Sequence, residues 1–230
     1  MNWAIIAENS RDYLNGTLLT LLLTAGALAL GFILSLSLAL LRNQGSVVIN
    51  SVISLYTIVF RGTPLLIQLF LIYYGLSQFG FIQTSIFWPW LSSPLFCVLL
   101  AFVLNTSAYT TEIFTGSINS LPPGEIEAAK AYGMTYSCRV RRILLPAMLT
   151  RSLALYSNEM IMMLHATSLA STVTLMELTG VARNISLNYY IQFEPYATAG
   201  VIYLLITLVM VGGFRYAEKR WGKYLHTGRG

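Results

Sequence analysis

Residues 14–41 read LNGTLLTLLLTAGALALGFILSLSLALL, and no Asp, Glu, Lys or Arg occurs between Asp12 and Arg42. A hydrocarbon core about 30 Å thick is crossed by about 20 apolar residues in an α-helix. The stretch therefore predicts a membrane-spanning helix. Gly26 and Gly31 within it offer places where a neighbouring helix can approach closely.

The rest of the chain has the same character. Of its 230 residues 56% are hydrophobic and 10% are charged, with a mean hydropathy of +0.65. Soluble domains carry about 25% charged residues, so the composition excludes a soluble globular domain, a disordered chain and a disulfide-stapled secreted module. A net charge of +5 and a pI near 9.3 do not indicate nucleic acid, because the basic residues sit in loops between apolar runs. Cys97 lies in an apolar stretch and Cys138 in a basic loop, so no disulfide between them is expected. The first charges are Glu8, Arg11 and Asp12, and without a basic leader the N-terminus does not read as a signal peptide.

A second helix is expected over about 50–75, interrupted at Arg61-Gly62-Thr63-Pro64. No charge occurs between Arg61 and Glu112, yet that stretch must hold a turn. Residues 78–93, with Gly80, Pro89, Trp88 and Trp90, supply it, and the tryptophans suit a membrane–water interface. A third helix covers about 94–116 and carries Asn105 and Glu112. A polar loop, 117–145, leads to a fourth helix over about 146–175, and a loop over 176–195 to a fifth over about 196–214. The fourth is unusually polar, with Arg151, Asn158, Glu159, His165, Thr167 and Ser168, and should face protein or a water-filled cavity. The expected fold class is an all-α integral membrane protein, one domain over 1–230 with five transmembrane helices and no internal repeat.

Counting Lys and Arg orients it. Arg42, Lys130, Arg139, Arg141, Arg142, Arg151, Arg215, Lys219, Arg220, Lys223 and Arg229 fall on one side, eleven in all. Arg11 and Arg183 fall on the other, with Arg61 inside the membrane. The side with eleven is read as cytoplasmic, which puts the N-terminus outside and the C-terminus inside.

The 117–145 loop contains Pro122-Pro123-Gly124-Glu125-Ile126-Glu127-Ala128-Ala129-Lys130-Ala131-Tyr132-Gly133, then nine residues, then Ile143-Leu144-Leu145-Pro146. Pro-Pro-Gly stops the third helix, Glu125 to Ala131 are helix formers, and Gly133 supplies a stop. Two short helices outside the membrane follow. Periodicity alone also allows an interfacial helix with its basic face on anionic lipid.

Glu127, Ala128, Ala129, Gly133, Ile143, Leu145 and Pro146 are spaced as in the "EAA" loop of the membrane subunits of ATP-binding-cassette importers, which this chain resembles. Tyr132 stands where that pattern often has Asp. Arg61 to Gln68, Asn105 to Tyr109 with Glu112, and Tyr156 to Glu159 resemble the polar-amino-acid permeases. With His165 and Thr167-Ser168-Leu169, the last is most similar to the arginine, lysine, ornithine and histidine permeases.

The resemblance implies a type I importer permease in the bacterial inner membrane. It implies a second identical or homologous permease chain, two ATPase subunits and an external amino-acid-binding protein. Glu127, Ala128, Ala129 and Gly133 would form the coupling helix that docks on the ATPase. Small Ala128 and Ala129 suit close approach of a partner. No G-x-x-x-x-G-K-[ST] occurs, so ATP and Mg belong to the partner and no cofactor is expected on this chain.

Arg61, Glu112 and Glu159 are expensive at bilayer depth unless compensated. Arg61 and Glu112, on neighbouring antiparallel helices, are expected to pair, within the chain or through a partner subunit; a substrate role is the other reading. Glu159 lies thirteen residues after Pro146, about 20 Å along the axis and so at or just past mid-membrane. Glu159, Met162 and Met163 share one helical face; Asn158, His165 and Ser168 lie one position round. These six form the expected substrate wall, while pairing of Glu159 with Arg151, His165 or a partner residue is the structural alternative.

His165 and the distant His226, with no Cys/His cluster, suggest no metal site. One rival function is a proton-coupled secondary transporter or channel using Glu159 and His165 as a relay. Another is a membrane enzyme using them as an acid–base pair. The coupling-loop pattern disfavours both.

Overall fold

A computed structural model describes residues 3–221. A short α1 (Trp3–Glu8) precedes α2 (Ser10–Arg42), which contains the stretch read first. Then come α3 (Val47–Gly62) and α4 (Leu65–Phe70), the latter prolonged by a π-helical turn and a 3-10 turn to Gln78. Two single-turn helices, α5 (Gly80–Gln83) and α6 (Trp88–Leu91), make the expected turn and lead into α7 (Pro94–Asn119). The loop holds α8 (Pro123–Ala131) and α9 (Tyr136–Arg139), and a π-helical turn over Val140–Leu144 joins α9 to α10 (Leu145–Ala166). A 3-10 stretch, α11 (Leu178–Tyr189) and α12 (Phe193–Trp221) follow.

α2, α7 and α12 are each long and apolar enough to cross a membrane. Two bent pairs raise the total to as many as five: Val47–Gly62 with Leu65–Gln78, bent by 103°, and Tyr136–Val173 with Leu178–Tyr189, bent by 44°.

The packing inverts the soluble pattern. Along α2 the buried positions include Thr20, Thr24 and Ser35, while Leu18, Leu22, Leu30 and Ile33 are exposed. Lipid tails are as apolar as leucine, so small and polar residues gather between helices instead. Thr20 and Thr24 donate their hydroxyls to the carbonyls four residues back, at 2.9 and 2.8 Å, which hides the polar group inside its own helix. α7 buries Asn105, Thr106, Ser107, Thr110 and Thr111 and packs closely on α2. At Gly31 the two helices come so near that an added Cβ would lie 2.5 Å from Thr106 Cγ2. Gly26 faces only the end of Leu99, at 3.3 Å.

The break in the second helix has a local cause. Pro64 has no N–H, and a proline pushes its predecessor out of the helical region; Thr63 accordingly sits at φ −114°, ψ 142°. The carbonyls released there are not left bare. Gln68 Nε2 donates to Phe60 O at 2.7 Å, to Thr63 O at 3.0 Å and to Thr63 Oγ1 at 2.7 Å. Asn105 Nδ2 donates to Phe60 O and to Gln68 Oε1, which ties the break to α7.

Two expectations need correction. The 176–195 segment is not a plain loop, since α11 occupies most of it. Its buried Leu178, Val181, Ala182 and Ile185 follow helical spacing, and Glu177 caps it by accepting from Thr179 N and Gly180 N, both at 2.9 Å. The second short helix of the loop is also not separate, because it runs through the π-helical turn into α10.

Candidate substrate cavity and coupling surface

α7 and α10 lie side by side, and both halves of the broken helix pack on α7. Between them is a cavity of about 420 Å³. α10 contributes Asn158, Glu159, Met162 and Met163; α7 contributes Asn105 and Tyr109; Leu65 comes from just after the break. Glu159 brings the one ionisable carboxylate to this lining. Its Oε1 accepts a hydrogen bond from Thr106 Oγ1 at 3.0 Å, so the carboxylate has a fixed direction and keeps acceptor capacity. The Arg61 guanidinium lies over the Tyr109 ring, 5.4 Å from its centroid, and Tyr109 Oη donates to Arg61 O at 3.3 Å.

Four of the six expected wall residues thus meet in one cavity. His165 and Ser168 do not line it. His165 Nε2 lies 3.1 Å from Thr207 Oγ1 on α12, and Ser168 donates to His165 O at 2.8 Å. His165 turns towards α12 and Glu159 towards α7, while Asn158, on the His165 side of α10, lines both this cavity and a recess against α12. Neither Arg151 nor His165 pairs with Glu159; Arg151 Nη1 donates to Ser120 O at 2.5 Å.

The expected Arg61–Glu112 pair is corrected as well. Glu112 Oε1 bonds Arg42 Nη1 at 2.7 Å and Thr57 Oγ1 at 2.6 Å, and Arg42 Nη2 donates to Ser54 at 3.2 Å. Asn105, not Glu112, is level with the end of α3, as its bond to Phe60 O shows. Glu112 lies seven residues further along α7, about 10 Å at 1.5 Å per residue. It therefore meets the end of α2, where Arg42 stands. Arg42 stands one residue past a 28-residue apolar run, at the end of α2 rather than out in a loop.

The loop places its residues unequally. Glu127 and Ala128 are exposed on α8, whereas Ala129 is buried within the chain at 4% exposure. Gly133 has φ +72°. Met134 N bonds Ala129 O at 3.0 Å and Gly133 N bonds Lys130 O at 2.9 Å, the paired bonds of a Schellman stop. Of the four expected coupling residues, Glu127 and Ala128 lie open to a partner, Gly133 ends the helix, and Ala129 seats it on its own chain.

Residues 31–223 match the family described as binding-protein-dependent transport system inner membrane component. The octopine transport system permease protein OccM of Rhizobium radiobacter is 43% identical over 205 residues, covering 89% of this chain and 84% of that protein. The histidine/lysine/arginine/ornithine transport system permease protein HisM of Escherichia coli K12 is 44% identical over 207 residues, covering 90% and 87%. A crystal structure of an amino acid ABC transporter superposes with a TM-score of 0.84 at 33% identity, covering 96% of this chain and 99% of that one. The MetNI methionine transporter, at 17% identity and a TM-score of 0.71, shares the fold. The match spans the break, the cavity and the α8 segment, and the chain belongs to the inner membrane components of binding-protein-dependent transport systems.

Proposed function

We propose that this chain is the permease subunit of an ATP-driven importer of cationic amino acids, and that the substrate passes the cavity at Glu159. One observation carries the proposal: a carboxylate held by Thr106 faces a space otherwise lined by amides, an aromatic ring and apolar side chains. A guanidinium or ammonium entering there loses water, and a fixed carboxylate offsets that loss through charge-assisted hydrogen bonds. Met162 and Met163 pack an aliphatic stem without demanding one shape. The site thus selects by charge and only loosely among arginine, lysine, ornithine and histidine. The relative named for transport of these four amino acids supports that class.

Membership of the family supports the partners in this proposal. A second permease chain, identical or homologous, completes the pathway; two ATPase subunits carry ATP and Mg; an external binding protein delivers the amino acid. α8 docks on the ATPase through Glu127 and Ala128. ATP binding draws the coupling helices together and opens the pathway outward, and hydrolysis returns it inward. The eleven-to-two division of Lys and Arg supports an external N-terminus, a cytoplasmic C-terminus and five spans.

The test is uptake of labelled arginine by the assembled complex in vesicles. Uptake should require ATP and persist when a protonophore collapses the proton gradient. Uptake that follows the gradient and ignores ATP would restore the proton-coupled alternative. The geometry does not favour that alternative, since His165 turns to Thr207 and away from the Glu159 cavity.

A further inference from the structure

A second cavity, of about 280 Å³, lies at the other end of the molecule beneath α8. Lys130 and Arg139 enter it from α8 and α9, and Asn43 and Gln44 from the turn after α2; Ile126, Ile143 and Leu144 form its apolar side. No acidic residue lines it, and neither cation is in an ion pair among the described residues. Arg139 is held in place before any ligand arrives. Its guanidinium lies over the Tyr136 ring, 5.9 Å from the centroid, and Nη1 donates to Met134 O at 3.4 Å. Tyr136 is itself anchored by donating its hydroxyl to Leu40 O on α2, at 2.9 Å. Two cations, two amide side chains and an apolar wall in one concavity are the chemistry that accepts a phosphate group with hydrocarbon next to it.

We infer that the Lys130–Arg139 cavity binds the phosphate of an anionic phospholipid headgroup. Basic pockets at the cytoplasmic ends of membrane helices hold such headgroups, and the placement rests on the orientation proposed above. Arg139 takes the phosphate oxygens through its planar fork, and Lys130 supplies a point charge. Ile126, Ile143 and Leu144 meet the start of the acyl chains. A bound lipid would brace α8 against the α2–α3 turn, so the anionic lipid content of the membrane would act on the element that docks the ATPase.

The measurement is native mass spectrometry of the assembled complex, released from nanodiscs of phosphatidylglycerol and phosphatidylethanolamine. Wild type should retain phosphatidylglycerol in preference to phosphatidylethanolamine. The double variant Lys130→Gln/Arg139→Gln should retain it about twenty-fivefold less well, from two cations each contributing about fivefold. The Arg141→Gln/Arg142→Gln complex removes equal charge from outside the cavity lining and should retain lipid like wild type. If the lysine–arginine double variant does not assemble, Arg139→Gln alone should show a partial loss of about fivefold. Equal retention in wild type and the Lys130/Arg139 variants overturns the inference. So does equal loss in the Arg141/Arg142 control, which would mean a general basic surface. Binding of inorganic phosphate without any lipid preference would also overturn the lipid as occupant.

Discussion

Thr106 on α7 donates to Glu159 on α10, and the Thr106 methyl group fills the space that a side chain at Gly31 of α2 would need. The close approach of α2 and α7 and the aim of the Glu159 carboxylate are therefore coupled through one residue. Gly31→Ala should push Thr106 aside, cost about 1–3 kcal/mol by overpacking, and impair arginine uptake. Gly26→Ala should be tolerated, because only the end of Leu99 must move. Thermal unfolding of the purified complexes, read beside uptake, checks both; equal effects at the two glycines would contradict the packing account.

Glu112 distinguishes two arginines. Arg42→Gln removes its charged partner and should cost about 1.5–3 kcal/mol, the worth of a hydrogen bond to a charged group, with Thr57 still donating to the same oxygen. Arg61→Gln should cost clearly less, since Arg61 lies over Tyr109. A double-mutant cycle between Arg42 and Glu112 should show a coupling energy, and one between Arg61 and Glu112 little. The reverse ranking would contradict the ion pair described.

The two alanines of the loop should fail in different ways. Ala128→Arg adds bulk on the exposed face of α8, so the permease should fold and reach the membrane but lose its ATPase. Ala129→Arg forces a charge into the chain's own packing and should lower the yield or melting temperature of the permease itself. Gly133→Val should act like Ala129→Arg more than like Ala128→Arg, because a β-branched residue resists φ +72°. ATPase co-purification alongside expression level separates the outcomes.

Orientation has its own check. A reporter at Gly230 should be cytoplasmic and one at the N-terminus external. Both ends on one side would mean that the bent Val47–Gln78 pair does not make a single crossing.

Much of this architecture was legible because a bilayer imposes a simple rule. Apolar run length marked α2, α7 and α12, and Gly62-Thr63-Pro64 marked the break. α11 was missed because Thr179, Gly180, Arg183, Asn184 and Asn188 read as loop chemistry, although the apolar positions between them keep helical spacing. The Glu125-to-Ala131 run of helix formers marked α8 but not which alanine faces inward; that follows from how α8 rotates onto its chain. Pairing was the least legible part. Which arginine reaches Glu112 depends on the relative shift of two helices, and composition carries no record of that shift. Thr106, which aims Glu159, sat within a recognised motif without an assigned role, because a threonine hydroxyl in a membrane helix most simply bonds its own backbone.

If Glu159 confers preference for cationic amino acids, Glu159→Gln should expose it. The substitution keeps the volume and an oxygen able to accept from Thr106, and removes only the charge. The assembled complex should form normally, and its ATPase activity stimulated by liganded binding protein should fall less than transport. The arginine concentration for half-maximal uptake should rise about tenfold to a hundredfold, the loss of a hydrogen bond to a charged group worth about 1.5–3 kcal/mol, or uptake should cease. A Glu159→Gln complex that assembles and takes up arginine and lysine with wild-type rate and affinity would contradict the account, and selectivity would then rest with the external binding protein.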